Sequence, residues 1–252
     1  MEKITRIYLR LLRRLAKRKD GFFYNLWRKE LGRLFPEDKQ FEAFDNILWD
    51  DGFHFTGDVT DPNNQKSDFG QGITYHEIFI KGVLPFIDKD SIVLEIGPGR
   101  GSWTKGLLTA KEVWGLDAKS LENNKIMEFL GHPKNLKYFQ VKDFECRDLP
   151  NDYFDFVFSY GCFCHIPWEG IEKYIKSIYK KMKFGSSAII MISDDVKRPD
   201  NINLGSWYPG CFIPNNAAKM EKLLKSENFT VINSNFLDCK RDSIIYFKKM
   251  LV

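Results

Sequence analysis

From Ser91 onward, short apolar runs alternate with amphipathic ones, and this rhythm restricts the fold more than any other feature of the 252-residue chain. The apolar runs fall at residues 92–96, 113–116, 136–141, 154–159 and 188–192. Helical periodicity occupies 103–108, 121–130, 168–182 and 216–226. Strands that are apolar throughout must be covered on both faces, so the pattern predicts an α/β fold with a mostly parallel sheet between helices. Two further strands are expected at 230–236 and 243–247, with a short turn around 239–242 between them. A parallel crossover needs about a dozen residues or more, so this last pair is predicted to be antiparallel.

The remaining sequence divides the chain into a helical N-terminal extension and loop, residues 1–72, and a main domain, residues 73–252. Residues 50–72 are rich in Gly, Asp, Asn and Pro and read as a loop. Residues 75–87 read as a helix packing towards the sheet. The formal charge of +4 is unevenly spread, because residues 1–33 carry eleven Lys/Arg and three Asp/Glu. In "ITRIYLRLLRRLAKR", Ile4, Ile7, Tyr8, Leu11 and Leu15 recur at helical spacing. A helix docked on the core with a solvated basic face is expected; the alternative is weak peripheral contact with an anionic membrane surface or an acidic partner. No apolar run approaches the length of a membrane span, and the basic N-terminus lacks the apolar segment of a signal peptide. Five cysteines, an odd number, do not form a disulfide framework. A cytoplasmic setting is the simple expectation.

The chemistry is expected at "VLEIGPGRGSW", residues 93–103. An apolar strand meets Glu95 and then a turn with Gly97, Gly99 and Gly101. Open α/β sheets bind ligands at the carboxyl ends of their strands, where strand order reverses. Glycines there let the main chain approach a ligand closely. A dinucleotide fingerprint would be G-x-G-x-x-G, whereas this turn is G-x-G-x-G with Ser102 at the sixth place. Glu95 would repel a pyrophosphate and welcome a cationic amino acid group.

In these residues the chain resembles the class I S-adenosylmethionine-dependent methyltransferases. "VLEIGPGRGSWT" looks like their first motif, in the form found in bacterial enzymes that methylate sugars and other small molecules. The resemblance spans residues 91–250 and implies a Rossmann-like seven-stranded sheet with helices on both faces and an antiparallel C-terminal hairpin. It also implies S-adenosyl-L-methionine as cofactor, with Glu95, Gly97, Pro98, Gly99, Gly101 and Trp103 around the turn. "VWGLDA" implies Asp117 at the ribose hydroxyls, with Ala118 beside it. "YFQVKDFECRDLP" implies Asp143 at the adenine amino group and the backbone of Phe144 at the ring. "FDFVFSYGCFCHIP" implies Ser159 and Tyr160 near the methionine end.

For the acceptor, His165 is the candidate general base and Asp194 a second catalytic candidate, as base or as an orienting group; the alternatives are that His165 caps the next helix or lines the cofactor pocket and that Asp194 caps a turn. Carboxylates at both strand ends would suggest a metal, but Ser159 and Tyr160 occupy one of them, and Cys162, Cys164 and His165 are too few for a tetrahedral structural zinc; no metal is expected. Tyr75, His76, Trp207 and Tyr208, with His54, are candidate substrate contacts. Nucleic acid is not the expected acceptor, because "SYGC" stands where amino-methylating DNA enzymes carry an Asn/Asp-Pro-Pro-aromatic segment. The expected activity is O-methylation of a sugar or related metabolite in surface-polysaccharide biosynthesis. Its rivals are methylation of a small amine or phosphorylated metabolite, an inactive cofactor-binding partner subunit, and a nicotinamide oxidoreductase.

Overall fold

The computed structural model describes residues 3–15, 22–34, 39, 41, 57–68, 70–198 and 212–250. Helices α1 (Lys3–Leu15) and α2 (Phe22–Leu34) come first. Leu9 and Leu12 of α1 meet Trp27 and Leu31 of α2 in a small cluster of their own. Ile4, Ile7, Tyr8, Leu11 and Leu15, the row expected to dock, are exposed instead. The reason is that α1 has two apolar rows, and α2 covers the one that the simple periodicity passes over.

Helix α3 (Tyr75–Gly82) begins at a capping box, in which Thr74 accepts from the Glu77 N–H and Glu77 accepts from the Thr74 N–H. It is shorter than the predicted 75–87. Pro85 cannot donate to a continuing helix, and a single 3-10 turn, Leu84–Phe86, follows.

Seven strands form one sheet: β1 (Ile92–Ile96), β2 (Glu112–Asp117), β3 (Leu136–Gln140), β4 (Phe154–Ser159), β5 (Met182–Ser193), β6 (Phe229–Asn233) and β7 (Asp242–Lys249). Their order is β3-β2-β1-β4-β5-β7-β6. Strands β1 to β5 are parallel, and β7 runs antiparallel to both β5 and β6. Between the strands lie α4 (Ser102–Leu107), α5 (Leu121–Asn124), α6 (Ile126–Leu130), α7 (Trp168–Lys181) and α8 (Ala217–Ser226). The helix predicted over 121–130 is split because Lys125 adopts a left-handed conformation with φ of 54°. Strand β5 starts at Met182, well before the predicted 188, and its pairing with β4 shifts register between Phe154 and Phe156.

Side-chain alternation distributes the core to both faces. Leu94 and Ile96 join Ile171, Ile175 and Ile178 of α7 and Met220 and Leu224 of α8. Val93 turns the other way, to Ile78 and Phe79 of α3, Leu107 of α4 and Ile126 of α6. The chain leaves β1 for β2 and β3, then returns to β4 on the other side of β1. This reversal opens a crevice at the carboxyl ends of β1 and β4.

Phe156 is fully buried, with its ring stacked on Phe86 at 5.5 Å between centroids. Phe156→Ala is expected to destabilise the protein by about 3–5 kcal/mol in urea unfolding. Ile232→Ala, at a half-exposed position on β6, should stay within about 0.5 kcal/mol of the parent.

Candidate active site

The glycine turn fills the carboxyl end of β1. Gly97 has φ of 77° and donates its N–H to the Leu116 carbonyl at 2.7 Å. A Cβ on Gly97 would lie 2.5 Å from the Cβ of Cys162, on the segment leaving β4. No side chain fits there. Gly99, with φ of 54°, is the opposite case: a Cβ would meet nothing within 4 Å. Its N–H donates to Asp117 Oδ2 at 2.9 Å, so the turn curls across to the end of β2 and leaves an open cradle. Pro98 packs over Gly115. Gly101 closes the turn through its N–H to the Pro98 carbonyl and precedes Ser102, whose buried hydroxyl has no partner.

Asp117 also accepts from the Lys119 N–H at 2.9 Å. Burial raises its pKa, against the pull of the two backbone donors and Lys119. Each of its oxygens keeps accepting capacity for a further hydroxyl. Glu95 is 2% exposed and accepts a hydrogen bond from the Thr104 hydroxyl at 2.6 Å. Burial pushes its pKa up to about 8; Thr104 lowers it, and the charge of Asp117 raises it. The carboxyl expected to meet a cationic group is thus tied to α4. The Ala118 carbonyl accepts from Gln140, and exposed Asp143 accepts from the Glu145 N–H. Phe144 is buried against Tyr174 at 5.6 Å. Ser159 donates to the Ile96 carbonyl at 2.7 Å and pins β4 to β1 at the reversal.

The other side of the crevice is aromatic and polar. Tyr160 lies 4.7 Å from Trp103 between ring centroids, and Tyr75 lies 6.0 Å from both rings. Both tyrosine hydroxyls donate to Asp68, at 2.9 Å each. Burial raises both phenol pKa values, so they remain donors at neutral pH. Arg241 reaches Asp68 at 3.4 Å and also pairs with Asp242. Arg198 pairs with Asp242 from another direction. His165 ends a 3-10 turn, Phe163–His165, after β4, partly exposed, with its ring 5.1 Å from that of Phe212.

The remaining expected residues are placed elsewhere. Asp194 is buried, accepts from the Ser243 hydroxyl at 2.5 Å and from the Val196 N–H, and holds the turn that leads to Arg198. Its carboxylate is engaged in that turn. His76 is fastened through Nδ1 to the Val59 carbonyl at 2.9 Å. Trp207, Tyr208 and His54 lie outside the described residues. Asp68, Gln71, Arg198, Arg241 and Asp242 carry no recognisable spacing, and sequence reading passes over them.

Comparison with protein families matches residues 93–185 to the family described as "Methyltransferase domain". The match spans 93 of the 252 residues. The chain is accordingly a transferase enzyme, with S-adenosylmethionine as its cofactor. Comparison with curated proteins returns no match. Among solved structures, an S-adenosylmethionine-dependent methyltransferase from Mesorhizobium loti is 14% identical, covering 66% of this chain and 93% of its own, with a TM-score of 0.53. Another, from Clostridium acetobutylicum, is 16% identical and covers 66% of this chain and 86% of its own at a TM-score of 0.53. The [4+2]-cyclase SpnF is 12% identical and covers 75% of this chain and 86% of its own at a TM-score of 0.56. These likenesses establish the Rossmann-like sheet fold, and the cyclase shows that chemistry must be argued from the site.

The methyltransferase turn suits its cofactor on two observations. The cradle at Gly99 is open, and the buried Ser102 hydroxyl lacks a partner. With the cofactor bound, Asp117 would hold the ribose and the Gly97–Gly101 backbone would line the amino acid end. Asp117→Ala should therefore weaken S-adenosylhomocysteine binding about tenfold or more in calorimetry.

Glu95 yields a pH prediction. Its folded pKa of about 8 lies above its ordinary value of 4.5, so its contribution to stability is fully present below about 4.5 and is lost as pH rises through 8. Urea unfolding of the parent and Glu95→Gln should show the parent losing ground to the variant between pH 5 and pH 8. A difference that stays constant with pH would contradict the shift.

Proposed function

We propose that this methyltransferase domain methylates a hydroxyl group of a small molecule, a sugar or related metabolite of capsule or surface-polysaccharide biosynthesis. The observation that carries the reading is the position of His165. Its imidazole is partly exposed at the carboxyl end of β4, on the acceptor side of the strand-order reversal. Bound S-adenosylmethionine supplies an electrophilic methyl group on a sulfonium.

A neutral alcohol is a poor nucleophile until its proton leaves. An ordinary imidazole titrates near pH 6.5, about where a base must work at neutral pH. His165 accepts the hydroxyl proton on a ring nitrogen as the oxygen approaches the methyl carbon. Phe212 packs against the imidazole and limits where the ring can sit. The Tyr75, Trp103 and Tyr160 rings pack together at the same end of the sheet, and aromatic rings suit the face of a sugar ring. The polysaccharide setting is supported by the likeness of "VLEIGPGRGSWT" to the motif of bacterial sugar methyltransferases.

Incubation with methyl-labelled cofactor and a panel of sugar nucleotides, phosphorylated sugars and small amines tests the reading. His165→Ala should lower kcat by about 10²-fold or more on a hydroxyl acceptor while S-adenosylhomocysteine affinity is retained. A rate within a few-fold of the parent would point to an amine acceptor, which needs no strong base. Label found only in RNA or protein would overturn the small-molecule assignment.

A further inference from the structure

Beside His165, buried hydrogen-bond donors outnumber the acceptors that the protein supplies. Arg198 has its side chain 1% exposed and gives one terminal nitrogen to Asp242. Its Nε and its other terminal nitrogen have no partner. Gln71 is fully buried. Its Oε1 accepts from the backbone N–H groups of Arg241 and Asp242, at 3.3 and 3.0 Å, while its Nε2 has no partner. Asn215 repeats the pattern: its Oδ1 takes the Asn216 N–H, and its Nδ2 is left over. Among the described residues, every unsatisfied buried side-chain atom in this neighbourhood is a donor. Native interiors leave few such groups, and each calls for an explanation.

Charge points the same way. Asp242 is the acid that pairs with Arg198, but Arg241 holds the same carboxylate with two nitrogens. Asp68, the second acid, is taken up by Arg241 and by two tyrosine hydroxyls. The Arg198 cation is therefore only partly compensated. The Phe212 ring lies 3.6 Å from its guanidinium carbon, so one face is covered and the N–H groups project in the plane. The same ring packs on His165.

We infer that Arg198 and Gln71, flanked by Asn215, form a subsite for an oxyanion of the acceptor, a carboxylate or a phosphate. This rests on the methyl-transfer reading for the position of the reacting hydroxyl, but not for the existence of the anion site. Oxygen acceptors of the ligand would satisfy the leftover N–H groups and complete the charge around Arg198, bonds of the charge-assisted kind. The acceptor is then an acidic or phosphorylated sugar or metabolite, held by one end while its hydroxyl meets His165.

Two measurements on the full chain test the site. In the first, inorganic phosphate and acetate are titrated at constant ionic strength against chloride, with melting temperature as readout. One of them should stabilise the parent saturably. Arg198→Lys keeps a cation for Asp242 but removes the leftover nitrogens, and should weaken that anion at least tenfold; S-adenosylhomocysteine affinity reports that the fold is intact. In the second, methyl transfer is compared for glucose 1-phosphate, glucuronate and glucose. The charged sugars should exceed glucose by 10²-fold or more in kcat/KM, and Arg198→Lys should reduce that ratio towards one. The phosphate and carboxylate arms separate the two oxyanions. Equal use of glucose, or selectivity unchanged in Arg198→Lys, overturns the subsite. If none of the three is methylated, the anion titration decides alone, and a saturable effect lost in Arg198→Lys upholds the subsite although the sugar reading has failed.

Discussion

Gly97 and Cys162 touch at the point where strand order reverses, and the crevice depends on that contact. The sheet brings the ends of β1 and β4 side by side. A side chain at residue 97 would collide with Cys162 and push them apart. Ser159 fastens the same two strands through the Ile96 carbonyl, and Asp117 draws the Gly99 N–H towards β2. Three strand ends are thus joined by groups that are mostly backbone. The nucleoside side of the site is a consequence of chain path, with few side chains needed to define it.

The acceptor side is built differently. Asp242 lies between two guanidiniums in the protein interior, and removal of either would leave a buried charge poorly matched. Such an arrangement contributes little net stability beyond that of a well-packed apolar cluster, yet it fixes side-chain positions closely. Asp68 extends it to Tyr75 and Tyr160, which in turn pack against Trp103 of the glycine-turn helix. The two halves of the crevice therefore meet at one indole, that of Trp103.

The sheet and the glycine turn were legible in the sequence because both are local patterns. Apolar runs marked five of the seven strands to within two residues, and the antiparallel hairpin followed from a short connection. Errors arose where one residue overrides a pattern. Lys125 takes a left-handed conformation without being glycine and divides a helix. Strand β5 begins six residues before the apolar run that marks it, and Gly185, with φ of 82°, lies inside it. The docking face of α1 was misread because two apolar rows compete for it. Gln71 and Arg241 were invisible for another reason: they are 170 residues apart, and nothing in either neighbourhood announces the other. Asp194 was noticed, but spacing could not tell a free carboxylate from one already bonded to Ser243.

Strand β7 comes last in the described chain and slots between β5 and β6. It carries Asp242, and Arg241 stands just before it. A chain cut before β7 would keep the glycine turn, which is local in sequence, but would lose the strand between β5 and β6 and the acid that both guanidiniums share. Since domains generally fold as units, such a truncation should cost the whole sheet and not merely its last strand.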